Sequence, residues 1–251
     1  MNLLDEINSK LFQSEHLNEK HARKVRGVLK LNGFDTTNFE NNIKDLIVCK
    51  SNNKNTPGNY IKRINKLVYS DDDSYIHELF HVSSCNRSKS NNIGLRIKIH
   101  NHYKLIGIDE GITDYLTVLT GYNPSYSNIF RLCVEILLLV HGNDVFTPYF
   151  ENDGDKFYMQ FNGYKDLFYL LDKYYYLLIR FIEYRDTRLS KYYYDIIDNI
   201  SKCLTDILDQ MIDKFNCKSY IIDKIKLGYL DKDAKILGFN SIEEIYQLGL
   251  K

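Results

Sequence analysis

The sequence predicts an α+β fold, and three stretches carry that prediction. Residues 94–100 alternate, with Leu95, Ile97 and Ile99 on one side and Arg96, Lys98 and His100 on the other, the period of a half-buried strand. Tyr75, Ile76, Leu79, Phe80 and Val82 recur at helical spacing. Ile196, Ile200, Leu204, Ile207, Met211 and Phe215 form one apolar stripe along a long amphipathic helix. Strands confined to the first half and helices filling the second define the segregated class rather than an alternating one.

Taken in order, residues 1–46 read as helical. Leu3, Leu4, Ile7, Leu11 and Phe12 make one stripe. Leu17, Val25, Val28 and Leu29 make a second, ended by Asn32-Gly33. His16 and His21 lie among charged residues and are expected at the surface. A short strand is expected over 43–49, an Asn-rich loop over 51–59, and a strand or short helix over 60–69. Asp71, Asp72, Asp73 and Ser74 are N-cap candidates for the helix that follows. Residues 83–92 are polar and read as a loop, and 94–108 as a β-hairpin leading into a second helix.

From Ser127 the pattern is helical to the end. Residues 129–140 are very apolar with a single acid, Glu135, and close on His141-Gly142. Residues 165–184 are apolar nearly all round and are expected to be buried. Ser241 with Glu244 reads as a capping box for a last short helix. The Asn152-Asp153-Gly154-Asp155 run lacks the bidentate Glu of a calcium loop and reads as a plain turn. The expected organisation is a core over residues 1–126 with a helical lobe over 127–251 packed on it as one structural unit.

Composition narrows the function. The formal net charge is zero, which gives no electrostatic case for nucleic acid or an anionic membrane. Twenty-one tyrosines fall mostly within apolar helical patterns and read as packing rather than as a stacking surface. No apolar run is long enough to span a bilayer, and residues 1–10 lack the apolar segment of a signal peptide. The five cysteines are scattered without a C-x-x-C pair and read as reduced thiols, so a cytoplasmic protein is expected.

The chemistry concentrates in His77-Glu78-Leu79-Phe80-His81, an H-E-x-x-H run on the helix predicted after Asp71–Ser74. Residues i and i+4 share a helix face, so His77 and His81 can aim two imidazole nitrogens at one metal ion. Glu78, one step round, can reach a water on that metal. A catalytic zinc takes three protein ligands and keeps one position open, and His₂Glu is one of the standard sets. Residues 108–115 read Ile-Asp-Glu-Gly-Ile-Thr-Asp-Tyr and supply Glu110 as a candidate third ligand. Asp114 shares a helical face with Glu110 and can accept a hydrogen bond from a ligand histidine; Asp109 can serve the other histidine in the same way. Cys85, four residues after His81, is a weaker candidate ligand, and His100 and His102 candidate donors.

These two motifs together resemble the gluzincin group of zinc metallopeptidases, which includes thermolysin and the zinc aminopeptidases. Their plan is an H-E-x-x-H helix followed by a second helix bearing a Glu ligand. Asp109-Glu110-Gly111-Ile112-Thr113-Asp114 matches the Glu and final Asp of an N-E-x-x-x-D pattern, and Glu110-Gly111 matches N-E-G; Asp109 stands where both have Asn. The resemblance spans about 45 residues. It implies a zincin-like fold and one zinc ion per chain, held by His77, His81 and Glu110, with Glu78 as general base, Asp114 behind a ligand histidine, and a peptide or protein as substrate. It also implies an edge strand beside the metal helix that binds substrate, and a Tyr or His transition-state donor. For the donor, Tyr126, His141, Tyr158, Tyr174, Tyr175 and Tyr176 all stay open, as does endopeptidase against aminopeptidase. Two other readings stand beside this one: a zinc-binding module without hydrolysis, and a helical interaction protein in which the H-E-x-x-H is accidental.

Overall fold

A computed structural model describes residues 12–53, 58–89, 93–100, 102–185 and 190–249. The stripe of Leu3, Leu4, Ile7 and Leu11 lies outside the described residues. The fold is mixed, mostly helical with a small sheet, as an α+β class requires. The chain forms two compact units interleaved along the sequence. The first holds the described residues up to Leu95 with Ile112–Ser125 and Asn143–Gly154; the second holds Arg96–Gly111, Tyr126–Gly142 and the described residues from Asp155 onward.

In the first unit, β1 (Phe12–Glu15), β2 (Ile47–Ser51), β3 (Asn59–Ile61) and β4 (Lys66–Tyr69) form one sheet in the order β1-β2-β4-β3. β2 and β4 run parallel at the centre, and the two edges are antiparallel. Phe12, expected in a helix, is therefore in a strand; Phe-Gln-Ser-Glu has no apolar alternation, and pairing with β2 makes it extended. β2 starts later than the pattern suggests because Ile43–Asp45 winds into a 3₁₀ turn.

Helices α1 (Glu19–Leu31), α2 (Thr37–Asn42) and α3 (Asp72–Ser83) complete this core, with α3 packed on β3, β4, α1 and α2. Leu29, Phe39, Leu67, Ile76, Leu79 and Phe80 are fully buried there. His21 is also buried, against expectation, with Nε2 at 3.0 Å from the Tyr122 hydroxyl. It falls in register with Val25, Val28 and Leu29, so the apolar stripe carries it inward despite its charged neighbours.

In the second unit, β5 (Ile97–Ile99) and β6 (His102–Lys104) make the expected hairpin. Helix α4 (Ile106–Leu119) follows directly, giving its residues up to Gly111 to this unit and the rest to the first. Then come α5 (Asn128–His141), α6 (Thr147–Glu151, in the first unit), α7 (Gly154–Gln160), α8 (Lys165–Arg185), α9 (Ser190–Phe215), α10 (Lys218–Lys226), α11 (Asp231–Ile236) and α12 (Ile242–Gly249). α9 packs on α8 and α12 through the predicted stripe, with Ile200, Leu204, Ile207 and Met211 fully buried. α8 is not buried all round: Leu171, Tyr174 and Phe181 face inward while Tyr169 and Ile182 are exposed. At α12 the expected partner of Glu244 changes from Ser241 to Asn240, whose backbone and side-chain amides both donate to its carboxylate. Among the described residues no helix is long and apolar enough to cross a membrane.

Candidate metal centre

α3 carries three of the candidate residues, and both its ends are held. At the start, the Asp71 carboxylate accepts from the Ser74 amide at 2.8 Å and the Ser74 hydroxyl accepts from the Asp71 amide at 3.2 Å, a reciprocal cap. At the far end, the Asn42 side-chain amide donates to the carbonyls of Val82 and Cys85 at 2.8 and 2.7 Å. Residues 74–83 are all buried. That stretch includes His77, Glu78 and His81, whose ligand-type atoms lie within 4.8 Å of one another. The two imidazole centroids are 4.9 Å apart, as one helical turn dictates.

α4 addresses both histidines from its half in the first unit. His77 Nδ1 donates to Asp114 Oδ1 at 2.8 Å, with both side chains out of solvent. That bond puts the proton on Nδ1 and leaves Nε2 as the nitrogen with the lone pair, the tautomer a metal ligand needs. The same Asp114 oxygen accepts from the Ser125 amide at 2.8 Å, which fixes the carboxylate. At His81, Nδ1 faces the Thr113 hydroxyl at 3.5 Å, and that hydroxyl pairs with the Tyr149 hydroxyl at 2.8 Å. Thr113 and Tyr149 escaped the sequence reading. The signal available for Thr113 was its place next to Asp114; for Tyr149 there was none.

Gly58 meets the cluster from the sheet side. A Cβ there would stand 2.7 Å from Glu78 Oε1 and 2.9 Å from its Cγ, so a larger residue just before edge strand β3 would require the Glu78 side chain to shift.

Asp109 and Glu110 are placed in the second unit. Arg96 Nε donates to Asp109 Oδ2 and Arg96 Nη2 to Glu110 Oε1, each at 2.8 Å. The start of α4 is held by Asp172 of α8, whose two oxygens accept from the amides of Leu105 and Gly107 at 2.8 and 3.0 Å. Burial pushes the Asp172 carboxyl up to about 7, against the pull of these amides. Gly111 brings α4 against α5, since a Cβ there would sit 2.6 Å from the Phe130 carbonyl oxygen.

The remaining candidates separate by their partners. Cys85 is buried, with its thiol pushed up by burial, and lies outside the metal-ligand group. His100 and His102 are exposed on the hairpin. Tyr174 is buried against Ser127, His141 pairs with Tyr164, Tyr176 bonds the Tyr103 backbone, and Tyr158 lies under Lys104 and Lys165. Tyr126 and Tyr175 lie ring to ring at 5.8 Å, both half-buried. Burial, and then the Glu110 charge, raise the Tyr175 phenol above its ordinary range.

The α3 group suits a divalent metal by its donor set: two imidazoles, one with its tautomer set by a carboxylate, and a carboxylate beside them, all withdrawn from water. No known protein family, curated protein or solved structure matches this chain.

Proposed function

We propose that the chain is a zinc-dependent metallopeptidase of gluzincin type. The observation that carries this reading is the buried His77–Glu78–His81 group with Asp114 bonded to His77 Nδ1. In it His77 and His81 hold the metal, and Glu110 is the third ligand. Glu110 rests on the sequence motif and on its place one turn before Asp114 on the same face of α4. Bound zinc supplies a Lewis acid that lowers the pKa of water and polarises a carbonyl.

The other roles fall to the protein's own side chains. Glu78 takes the proton from the attacking water and returns it to the leaving amine. Asp114 holds His77 in its ligand tautomer and offsets the charge that builds behind it. A peptide lies along edge strand β3 by strand addition, which brings its backbone to Glu78 at Gly58. The donor to the oxyanion stays open among Tyr126, His141, Tyr158, Tyr174, Tyr175 and Tyr176.

Glu78→Gln tests the mechanism. It keeps the shape and the histidines, so the variant is expected to bind zinc as the parent does and to lose hydrolysis of a broad peptide library. Wild-type turnover in this variant would remove Glu78 as the base. Zinc in both proteins with cleavage in neither would favour the non-hydrolytic zinc module.

A further inference from the structure

The last carbonyls of an α-helix have no donor within it. At the end of α3 some are met locally: the Ser83 hydroxyl donates to the Phe80 carbonyl at 2.7 Å, and the Ser84 hydroxyl to the His81 carbonyl at 3.2 Å. The Val82 and Cys85 carbonyls are met from another element, by the one side-chain amide of Asn42 at the end of α2. Asn42 is in turn held from the sheet. Its backbone carbonyl accepts from the Asn65 side-chain amide at 2.8 Å, and that amide also donates to Asp45 Oδ1 at 2.7 Å. Asn65 stands just before β4 in the left-handed conformation, φ +47°, which asparagine adopts more readily than most residues. Its side-chain oxygen accepts from the Tyr60 hydroxyl of β3 at 2.9 Å. Arg87, just past α3, closes the same corner by donating to both oxygens of Asp45. Asn42, Asn65 and Tyr60 are all buried, so a donor lost from this relay leaves a carbonyl unpaired out of water.

We propose that Asn42 is a positioning residue for the metal group: by tying the last turn of α3 to the sheet through Asn65, it fixes where the His81 imidazole stands beside His77. This rests on the zinc reading above, and within it on His77 and His81 as ligands. His81 lies one residue before Val82, so the bond at Val82 holds the turn that carries it. His77 is one turn deeper in the helix, and its ring is held by Asp114. Helix ends fray, while zinc–ligand distances hold to about 0.2 Å, so the turn bearing His81 has to be pinned for both nitrogens to reach one ion. The same relay reaches the substrate side of the group. Tyr60 follows closely on Gly58, whose backbone faces the Glu78 carboxylate, so Asn65 links the strand beside Glu78 to the helix that carries it.

The test is a zinc competition titration on the full chain, with the visible absorption of cobalt(II) bound in place of zinc as the report on ligand geometry, and thermal unfolding of each metal-free variant. Asn42→Asp is nearly isosteric and sets oxygens against two carbonyls. It is expected to weaken zinc about tenfold, the low end for losing a group that supports a ligand, and to shift the cobalt bands. Asn42→Ser, whose one donor is too short to bridge both carbonyls, is expected to fall between it and the parent. The control is Phe39→Leu, in the same helix α2, where a fully buried ring is lost. It is expected to lower the melting temperature through the cavity it leaves, with parent-like zinc affinity and cobalt bands. If Asn42→Asp does not fold, Asn42→Ser carries the test. Parent-like zinc affinity and cobalt bands in Asn42→Asp or Asn42→Ser, or the same loss of zinc in Phe39→Leu, overturns the inference and leaves the zinc reading standing. A parent chain that takes no zinc overturns both.

Discussion

Two polar clusters, one in each unit, are built from opposite materials. In the second unit the Glu135 carboxylate on α5 gathers Lys224 at 2.7 Å, the hydroxyls of Tyr220 and Tyr229, and Arg131 at 3.6 Å. Lys224 and Arg131 also lie over the Tyr229 ring, at 4.4 and 4.8 Å from its centroid. One carboxylate there is met by two cations and two phenols, and the product is a tie between α5, α10 and the turn after α10. In the first unit two imidazoles and a carboxylate converge within 4.8 Å, and the partner at His77 is a second carboxylate. That set is rich in atoms that bind cations. An acid surrounded by donors completes itself and serves stability, whereas acceptors of metal-ligand type brought together in a buried place suit a divalent ion.

The sharpest way to break that contrast is to cut one carboxylate from each cluster. Asp114→Ala is expected to weaken zinc about 10–100-fold. Glu135→Ala is expected to leave zinc affinity unchanged and to lower unfolding stability by about 2 kcal/mol, the scale of hydrogen bonds to a charged group. Equal loss of zinc affinity in the two variants, by titration, would erase the distinction. A smaller effect is expected at Thr113. Its 3.5 Å approach to His81 is long for a hydrogen bond, so Thr113→Val should weaken zinc less than about tenfold while removing the Thr113 hydroxyl from Tyr149. A loss as large as that of Asp114→Ala would mean that the two histidines are supported equally.

The smallest effect concerns pH and lies outside both clusters. Burial lowers the His21 pKa below its ordinary 6.5; Asp72 pulls it up, and Lys20 and Lys24 push it further down. The folded chain therefore favours neutral His21. Its contribution to stability is present above the unfolded value and is lost as pH falls through it toward the lower folded value. The melting temperature should accordingly fall less between pH 7 and pH 5.5 in His21→Gln than in the parent; an identical fall in both would exclude His21 as a source of acid sensitivity.

What the sequence revealed follows from where local signals dominate. α3 could be read because cap, period and motif coincide at Asp71, Ser74 and His77–His81. The sequence offered Asp114 as an acceptor for a histidine of that run without saying which, and the fold pairs it with His77. β1 could not be read, because its extended form comes from β2 and not from its own residues. Arg96 was hidden for a related reason: alternation on a strand tells which side a residue faces, and nothing about a carboxylate pair arriving from the next helix. The division into units was hidden as well, since α4 is one continuous helix in sequence and its two halves belong to different cores.

The most direct measurement is the zinc content of the chain, purified without chelator and after zinc is added back, beside His77→Ala and Glu110→Ala. One zinc per parent chain, with almost none in His77→Ala and much less in Glu110→Ala, is the predicted result. A parent chain that stays free of zinc after addition would contradict the account and leave His77, Glu78 and His81 as a buried structural cluster.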